Sequence, residues 1–238
     1  MIHKLTDHVL DVIAVHETNA LVLYSPLLSS QIPQSYAAHA FRVLQSSLHQ
    51  MELLRLSALW DKADFHVASI PSAVMLIDHP DVLAALAEET RVAHAGRGVY
   101  NMTRETDPAL QAEIERMMDE HQRSFAEDQA RKTVRRLKAA IRKAKALGAS
   151  AEMDSVRNVR DKHIAHSLAQ TRREQKATVQ PLKYGDERKL LKLTIPLIES
   201  LYCWVNGSSF DIATDSRRLA RKYAKELWGN CNFTIPTR

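Results

Sequence analysis

A chain of 238 residues is long enough to bury a substantial core and fits one large or two small domains. Six glycines and eight prolines beside abundant Ala, Leu, Glu, Lys and Arg point to an all-α protein, and two isolated cysteines, Cys203 and Cys231, exclude a disulfide framework or a zinc cluster. The net charge of +5 and pI of about 9.2 are compatible with a polyanionic partner without requiring one.

Residues 2–24 place Leu5, Val9, Val12, Ile13, Val15 and Leu21 to Leu23 at helical spacing until Ser25-Pro26 stops them. Lys4, Asp7 and Asp11 interrupt that pattern, so it does not read as a signal peptide, and no run of some 18 apolar residues occurs. A soluble, cytoplasmic protein without a membrane partner is expected. After Pro26 and Pro33, Ser35 opens a long helix to about Trp60, with Phe41, Leu44, Leu48, Met51, Leu54 or Arg55, and Ala58 as its expected core face. Asp61 and Asp64 follow.

Ser69 caps a short helix with Pro71 in its first turn, and Asp78 with Pro80 caps another that runs to about His94 and ends at Gly96 and Gly98. Thr106, Asp107 and Pro108 start a helix that propensity alone would carry to Gly148, about 60 Å at 1.5 Å per residue. Leu110, Ile114, Met117 and His121 keep one stripe, whereas Val134, Leu137, Ile141 and Ala144 keep another out of phase. A bend or loop is expected near Ala126 to Ala130, the alternative being a long antiparallel hairpin arm or a dimer coiled coil. The first half is acidic. The second carries Arg131, Lys132, Arg135, Arg136, Lys138, Arg142, Lys143 and Lys145 with no acid between them, either a solvated face or a phosphate-tracking surface.

Ser150 caps the next helix, expected from about Ala151 to Ala169, with Glu152 and Asp154 in its first turn. Met153, Val156, Ile164 and Leu168 fall within an arc of about 120°, and Arg157, Arg160 and His163 fall inside it. A guanidinium on such a face costs several kcal/mol unless it is paired or lines a cleft or interface. A buried Arg–Asp network, through Asp161 or an acid of a neighbouring helix, and a functional site both satisfy that condition. Gln170 to Glu187 reads as a loop, Leu190 to Val205 as an apolar helix kinked at Pro196 and ended by Gly207, and Ser209 to Trp228 as a basic amphipathic helix before a short tail. Together these describe one all-helical bundle over residues 1–238, with a C-terminal helix and tail at 208–238.

His16-Glu17 lacks the second histidine of a zincin helix, and neither a glycine-rich phosphate loop nor a Gly-x-Ser-x-Gly elbow occurs. His163 and His166 lie one turn apart, but no third ligand stands at a sensible spacing, so neither metal nor cofactor is called for.

Arg160-Asp161-Lys162-His163-Ile164-Ala165-His166 resembles the motif of the HEPN superfamily, an arginine and a histidine with four to six residues between them and a polar residue directly after the arginine. Arg157-Asn158 to His163 satisfies the same spacing, so two registers overlap. The form Arg-Asp-Lys-x-x-Ala-His resembles the abortive-infection AbiU-like branch. Leu53 to Ile77, with Trp60-Asp61 and Ser69-Ile70-Pro71, is similar to that branch's long helix, acidic turn and following helix start.

The resemblance covers about residues 35–207 and implies a HEPN-type helical bundle with its core there that dimerises with its motifs facing, and a metal-independent ribonuclease acting in phage defence or as a toxin. Carried over by position, Arg160 would hold the scissile phosphate, His166 would act as general base or acid, and Asp161 would orient either. Arg157, Lys162 and His163 are further candidates for RNA contact. RNA, with tRNA a candidate, a second copy of the chain, and an antitoxin or other regulator are the partners implied. The tyrosine that some HEPN toxins carry two residues beyond the histidine is Leu168 here, so modification at that position is not implied. Some HEPN members are non-catalytic, and a helical RNA- or protein-binding module is the alternative.

Overall fold

The computed structural model describes residues 1–96, 107–165, 168–209 and 211–235. Gly98, Thr106 and His166 lie outside the described residues, as does the side chain of Ile164. Every regular element among the described residues is helical. They are α1 (Ile2–Tyr24), α2 (Pro26–Ser29), α3 (Tyr36–Ala58), α4 (Ile70–Ile77), α5 (Pro80–Ala95), α6 (Pro108–Gly148), α7 (Ala151–Val159), α8 (Arg172–Lys176), α9 (Asp186–Asn206) and α10 (Arg217–Trp228). Two wider π-helical turns occur, Arg160–Ala165 after α7 and Ile212–Ser216 before α10.

The caps explain most of the starts. Ser69 Oγ accepts from the Ser72 N–H at 3.2 Å and Ser150 Oγ from the Met153 N–H at 3.3 Å, as their positions before the apolar runs predict. The cap of α5 is His79 rather than Asp78, its Nδ1 accepting from the Asp81 N–H at 3.3 Å. Gly207 closes α9 at φ 66°, a left-handed backbone that a side chain would strain. The helix runs through Pro196 without a break.

One core gathers α1, α4, α6, α7 and α9 around the end of α3. Leu5, Val9, Val12 and Ile13 meet Leu56, Leu59 and Trp60, with Ile70, Leu137, Ile141, Met153, Val156, Leu191, Ile195 and Ile198 completing it. Trp60 lies at its centre, 1% exposed, with Nε1 donating to Thr194 Oγ1 at 3.1 Å. That indole fixes where α3 ends and the acidic turn begins.

No loop interrupts α6 near Ala126 to Ala130, for it is one helix of 41 residues with α5 packed along it. The phase change breaks nothing because only one stripe is used. Ala126, Thr133, Leu137, Ala140, Ile141 and Ala144 are buried, whereas Leu110 and Met117 remain exposed and nothing before Ala126 is buried. The pair is the long antiparallel hairpin arm of the alternative expectation.

The face of α3 also differs from expectation. Glu52, Leu53, Leu56 and Ser57 are the buried residues, while Leu44, Met51 and Leu54 are exposed. A buried carboxylate turns the helix: Glu52 accepts from Asn19 Nδ2 at 3.0 Å and lies 2.6 Å from His16 Nδ1. The neighbouring Glu17 binds Arg217 and Arg221 and so holds α10 against α1. The tail docks, with Phe233 N–H donating to Gln31 Oε1 at 2.9 Å and its ring 6.1 Å from Phe41. Among the described residues no single helix is long and apolar enough to cross a membrane; only the pair α4 and α5, bent by 84°, passes on length and composition together.

Candidate active site

The α-helix that opens at Ala151 ends at Val159 rather than near Ala169, and the chain widens into the π turn Arg160–Ala165. A π turn spreads one extra residue over the turn and re-aims the side chains that follow. Leu168 N–H donates to Lys162 O at 2.7 Å just beyond it, and Leu168 is 42% exposed instead of joining the core face. Met153 and Val156 keep the buried face expected of them.

The local chemistry of the turn is supplied by α8, where a loop was expected. Thr171 and Glu174 form a reciprocal capping box, a Thr-x-x-Glu signature visible in the sequence. Glu174 then reaches back. Its Oε1 accepts from Asn158 Nδ2 at 2.9 Å and from Lys162 Nζ at 2.9 Å, and Thr171 Oγ1 donates to Asn158 Oδ1. Hydrogen bonds from Asn158, Lys162 and the Thr171 N–H hold the Glu174 carboxyl at a pKa of about 2. Lys162 is thereby tied to α8, and Asn158 of the second register is buried in the same tie.

Arg160 is half-buried between two carboxylates. Its Nη1 donates to Asp61 Oδ1, at the acidic turn after α3, and its Nε to Asp161 Oδ1 at 3.2 Å. Burial opposes its charge, but the bonds and attraction of Asp61 and then Asp161 outweigh that and raise its pKa. The other oxygen of Asp161 accepts from Arg173 Nη1 at 2.5 Å, and Arg173 Nε approaches Asp154 Oδ1 at 3.7 Å. The structure therefore contains the Arg–Asp network, on a surface that stays partly open.

Arg157 is held differently. Its Nη1 donates to Gly148 O at 2.8 Å and its Nη2 to Trp60 O at 3.1 Å, both neutral carbonyls. Burial and then the nearby Arg173 lower its pKa, with Asp154 opposing. Trp60 and Asp61 thus hold Arg157 and Arg160 through consecutive residues. His163 is exposed on the π turn.

Two clefts flank this turn. One of ≈ 550 Å³ is lined by residues including Trp60, Val74, Met75, Lys145 and Arg157. The other, of ≈ 540 Å³, is lined by Asp161, Leu168, Thr171, Arg172, Arg173 and Lys176. Arg160 lines neither, but its carboxylate partners connect it to both: Asp61 directly follows Trp60 of the first cleft, and Asp161 lines the second. Among the described residues no cluster of three or more His, Cys, Asp or Glu side chains could hold a metal ion.

The chain matches the family described as HEPN AbiU2 over residues 2–227, from the first turn of α1 to within one residue of the end of α10. It belongs to that family. This HEPN AbiU2 protein is all-α, as the motif and composition predict, and the match is wider than the 35–207 stretch on which the resemblance was read. No curated protein and no solved structure gives a significant match.

Sequence reasoning singled out the cations of the motif and missed most of their partners. Arg173 and Glu174 fall in a stretch whose composition reads as a loop, and Asp61 in an acidic turn with no local sign of a partner. The Thr-x-x-Glu pattern at Thr171 was the available signal for α8. Nothing local announces the pairing of Arg160 with Asp61, 99 residues earlier.

Proposed function

We propose that this HEPN AbiU2 protein is a metal-independent endoribonuclease of phage defence or toxin type, working as a homodimer whose two motifs share one cleft. The observation that carries this is Arg160, a partly exposed guanidinium held between two carboxylates, one of which lines a cleft, with Nη2 meeting no acceptor among the described residues. That edge is available for a phosphate oxygen, and the pairing with Asp61 and Asp161 pre-orients it.

In the reaction, a base takes the proton of the RNA 2'-hydroxyl and the 2'-oxygen attacks the adjacent phosphorus. The bond from phosphorus to the 5'-oxygen breaks, an acid returns a proton to that oxygen, and a 2',3'-cyclic phosphate remains. Arg160 stabilises the charge that builds on the phosphorane. His166 supplies a proton-transfer group, since imidazole titrates near working pH. Asp161 positions Arg160, and Arg157 and His163 contact neighbouring parts of the strand; Lys162, bound to Glu174, secures the turn. On an ideal helix Arg160 and His166 point about 120° apart, and a second motif across a two-fold axis supplies the missing group.

Support for a second copy comes from α3, which packs against the π turn and exposes Tyr36, Val43, Leu44, Met51 and Leu54 on one side. RNA, with tRNA a candidate, is the substrate class, and an antitoxin or other regulator is a further partner. The alternative, a non-catalytic binding module, is supported by the two carboxylates, Asp61 and Asp161, that already neutralise Arg160. Analytical ultracentrifugation beside end-group analysis of digested RNA tests the proposal. A dimer that leaves cyclic-phosphate ends is expected; a monomer, or 3'-hydroxyl ends, would refute it.

A further inference from the structure

The cleft of ≈ 550 Å³ beside the motif has the size of a small-ligand site and an uneven chemistry. Ile70, Pro71, Val74 and Met75 of α4 with Ala144 of α6 form an apolar wall, and Met75 is 38% exposed. Two cations, Arg157 and Lys145, line it as well. Arg157 is half-buried and bound only to carbonyls, with no carboxylate within ion-pair distance among the described residues. Lys145 pairs with Asp78 at 2.5 Å, an exposed contact of the kind that contributes little and exchanges readily. The three charged groups of the cleft, Arg157, Lys145 and Asp78, leave one positive charge in excess.

An apolar slot beside an uncompensated guanidinium suits a flat ring joined to an anion. We propose that this cleft is a nucleotide site, taking a base against Pro71, Val74 and Met75 and a phosphate at Arg157 and Lys145. Its place relative to the motif follows from the backbone: Trp60 O holds Arg157 and the next residue, Asp61, holds Arg160. A base bound there lies beside the phosphate that Arg160 would grip. The cleft that Asp161 lines has Arg172, Arg173 and Lys176 around it and only Leu168 as an apolar side chain, so it lacks such a wall. The identification of an RNA residue as the occupant rests on the ribonuclease function proposed above, whereas a free nucleotide has the same chemistry and would make the cleft a signal-binding site.

Isothermal titration of the full chain separates these sources. The probes are the four 5'-mononucleotides, each alone, and a single-stranded RNA octamer made uncleavable by 2'-O-methyl groups. Met75→Glu places an acid on the wall, and Ala149→Trp fills the mouth from an exposed position. Both sites are at the surface, and circular dichroism confirms folding. Wild-type binding of at least one probe, weakened about tenfold or more by both substitutions, is the expected result. Mononucleotide binding sensitive to both substitutions, in a protein that cleaves no RNA, would retain the nucleotide site while the ribonuclease proposal fell. RNA binding and cleavage untouched by either substitution would overturn the nucleotide site while the ribonuclease stood. Binding of none of the probes would also overturn it.

Discussion

Replacing Glu17 by glutamine should loosen α10 from α1. The Glu17 carboxylate is 4% exposed and accepts from Arg217 Nε, from Arg221 Nε at 3.0 Å and from Arg221 Nη2 at 3.4 Å. Glutamine keeps the shape but removes the charge and turns one acceptor into a donor facing a guanidinium. Removing one partner of a fully buried pair costs about 3–5 kcal/mol. The Arg217 and Arg221 side chains are 29% and 55% exposed, so water recovers part of the loss. About 2–3 kcal/mol is expected, read at neutral pH as a fall in the urea midpoint at unchanged slope.

The pH dependence of the same variant is a second check. Burial alone would raise the Glu17 pKa, but the hydrogen bonds and charges of Arg221 and Arg217 prevail and lower it below the ordinary 4.5. A lowered folded pKa contributes stability above the unfolded value, lost as the pH falls through the folded one. The gap between wild type and Glu17→Gln should therefore be complete at pH 7 and close below about pH 4.5. A gap under about 0.5 kcal/mol at neutral pH, or one that persists in acid, would refute the ion-pair account of how α10 is held.

Trp60→Ala removes the indole from the centre of the core and should cost about 3–5 kcal/mol in urea unfolding, a loss under about 1 kcal/mol being incompatible with the packing described. Glu174 should titrate near 2 by carboxyl NMR, its stabilisation present above 4.5 and lost as the pH approaches 2; a midpoint near 4.5 would show that it does not hold the π turn. Amides of residues 112–125 in α6 should exchange with deuterium at least about tenfold faster than those of 133–144, because nothing before Ala126 is buried; equal protection would mean that the arm is covered.

Helix starts were readable because their signals are local. Ser69 and Ser150 hydrogen-bond the backbone within three residues, and Gly207 ends α9 through its own dihedral angle. Faces were harder to assign wherever a charged group is buried. Glu52 belongs inside only because His16 and Asn19, more than 30 residues away, receive it, and hydrophobic spacing alone put Met51 and Leu54 there instead. The stripe Leu110–Met117 has no core to face, so the phase change leaves α6 an unbroken helix.

At the candidate site the residue types were legible and their geometry was not. Arg157, Arg160 and Asp161 were identifiable from a motif of a few residues, and the expectation that a guanidinium there needs a carboxylate is met by Asp61 and Asp161. The π turn depends on contacts from α8, and the sequence of α7 alone predicts an α-helix continuing to Ala169. His166, the other half of the motif, lies outside the described residues.

The measurement closest to the central claim is incubation of the purified protein with total RNA and with tRNA in EDTA, beside Arg160→Ala and His166→Ala at matched folding. Cleavage that persists in EDTA and disappears in both variants is the predicted result. RNA left intact by the wild type, or cleavage that both variants retain, would contradict the assignment of a metal-independent ribonuclease to this motif.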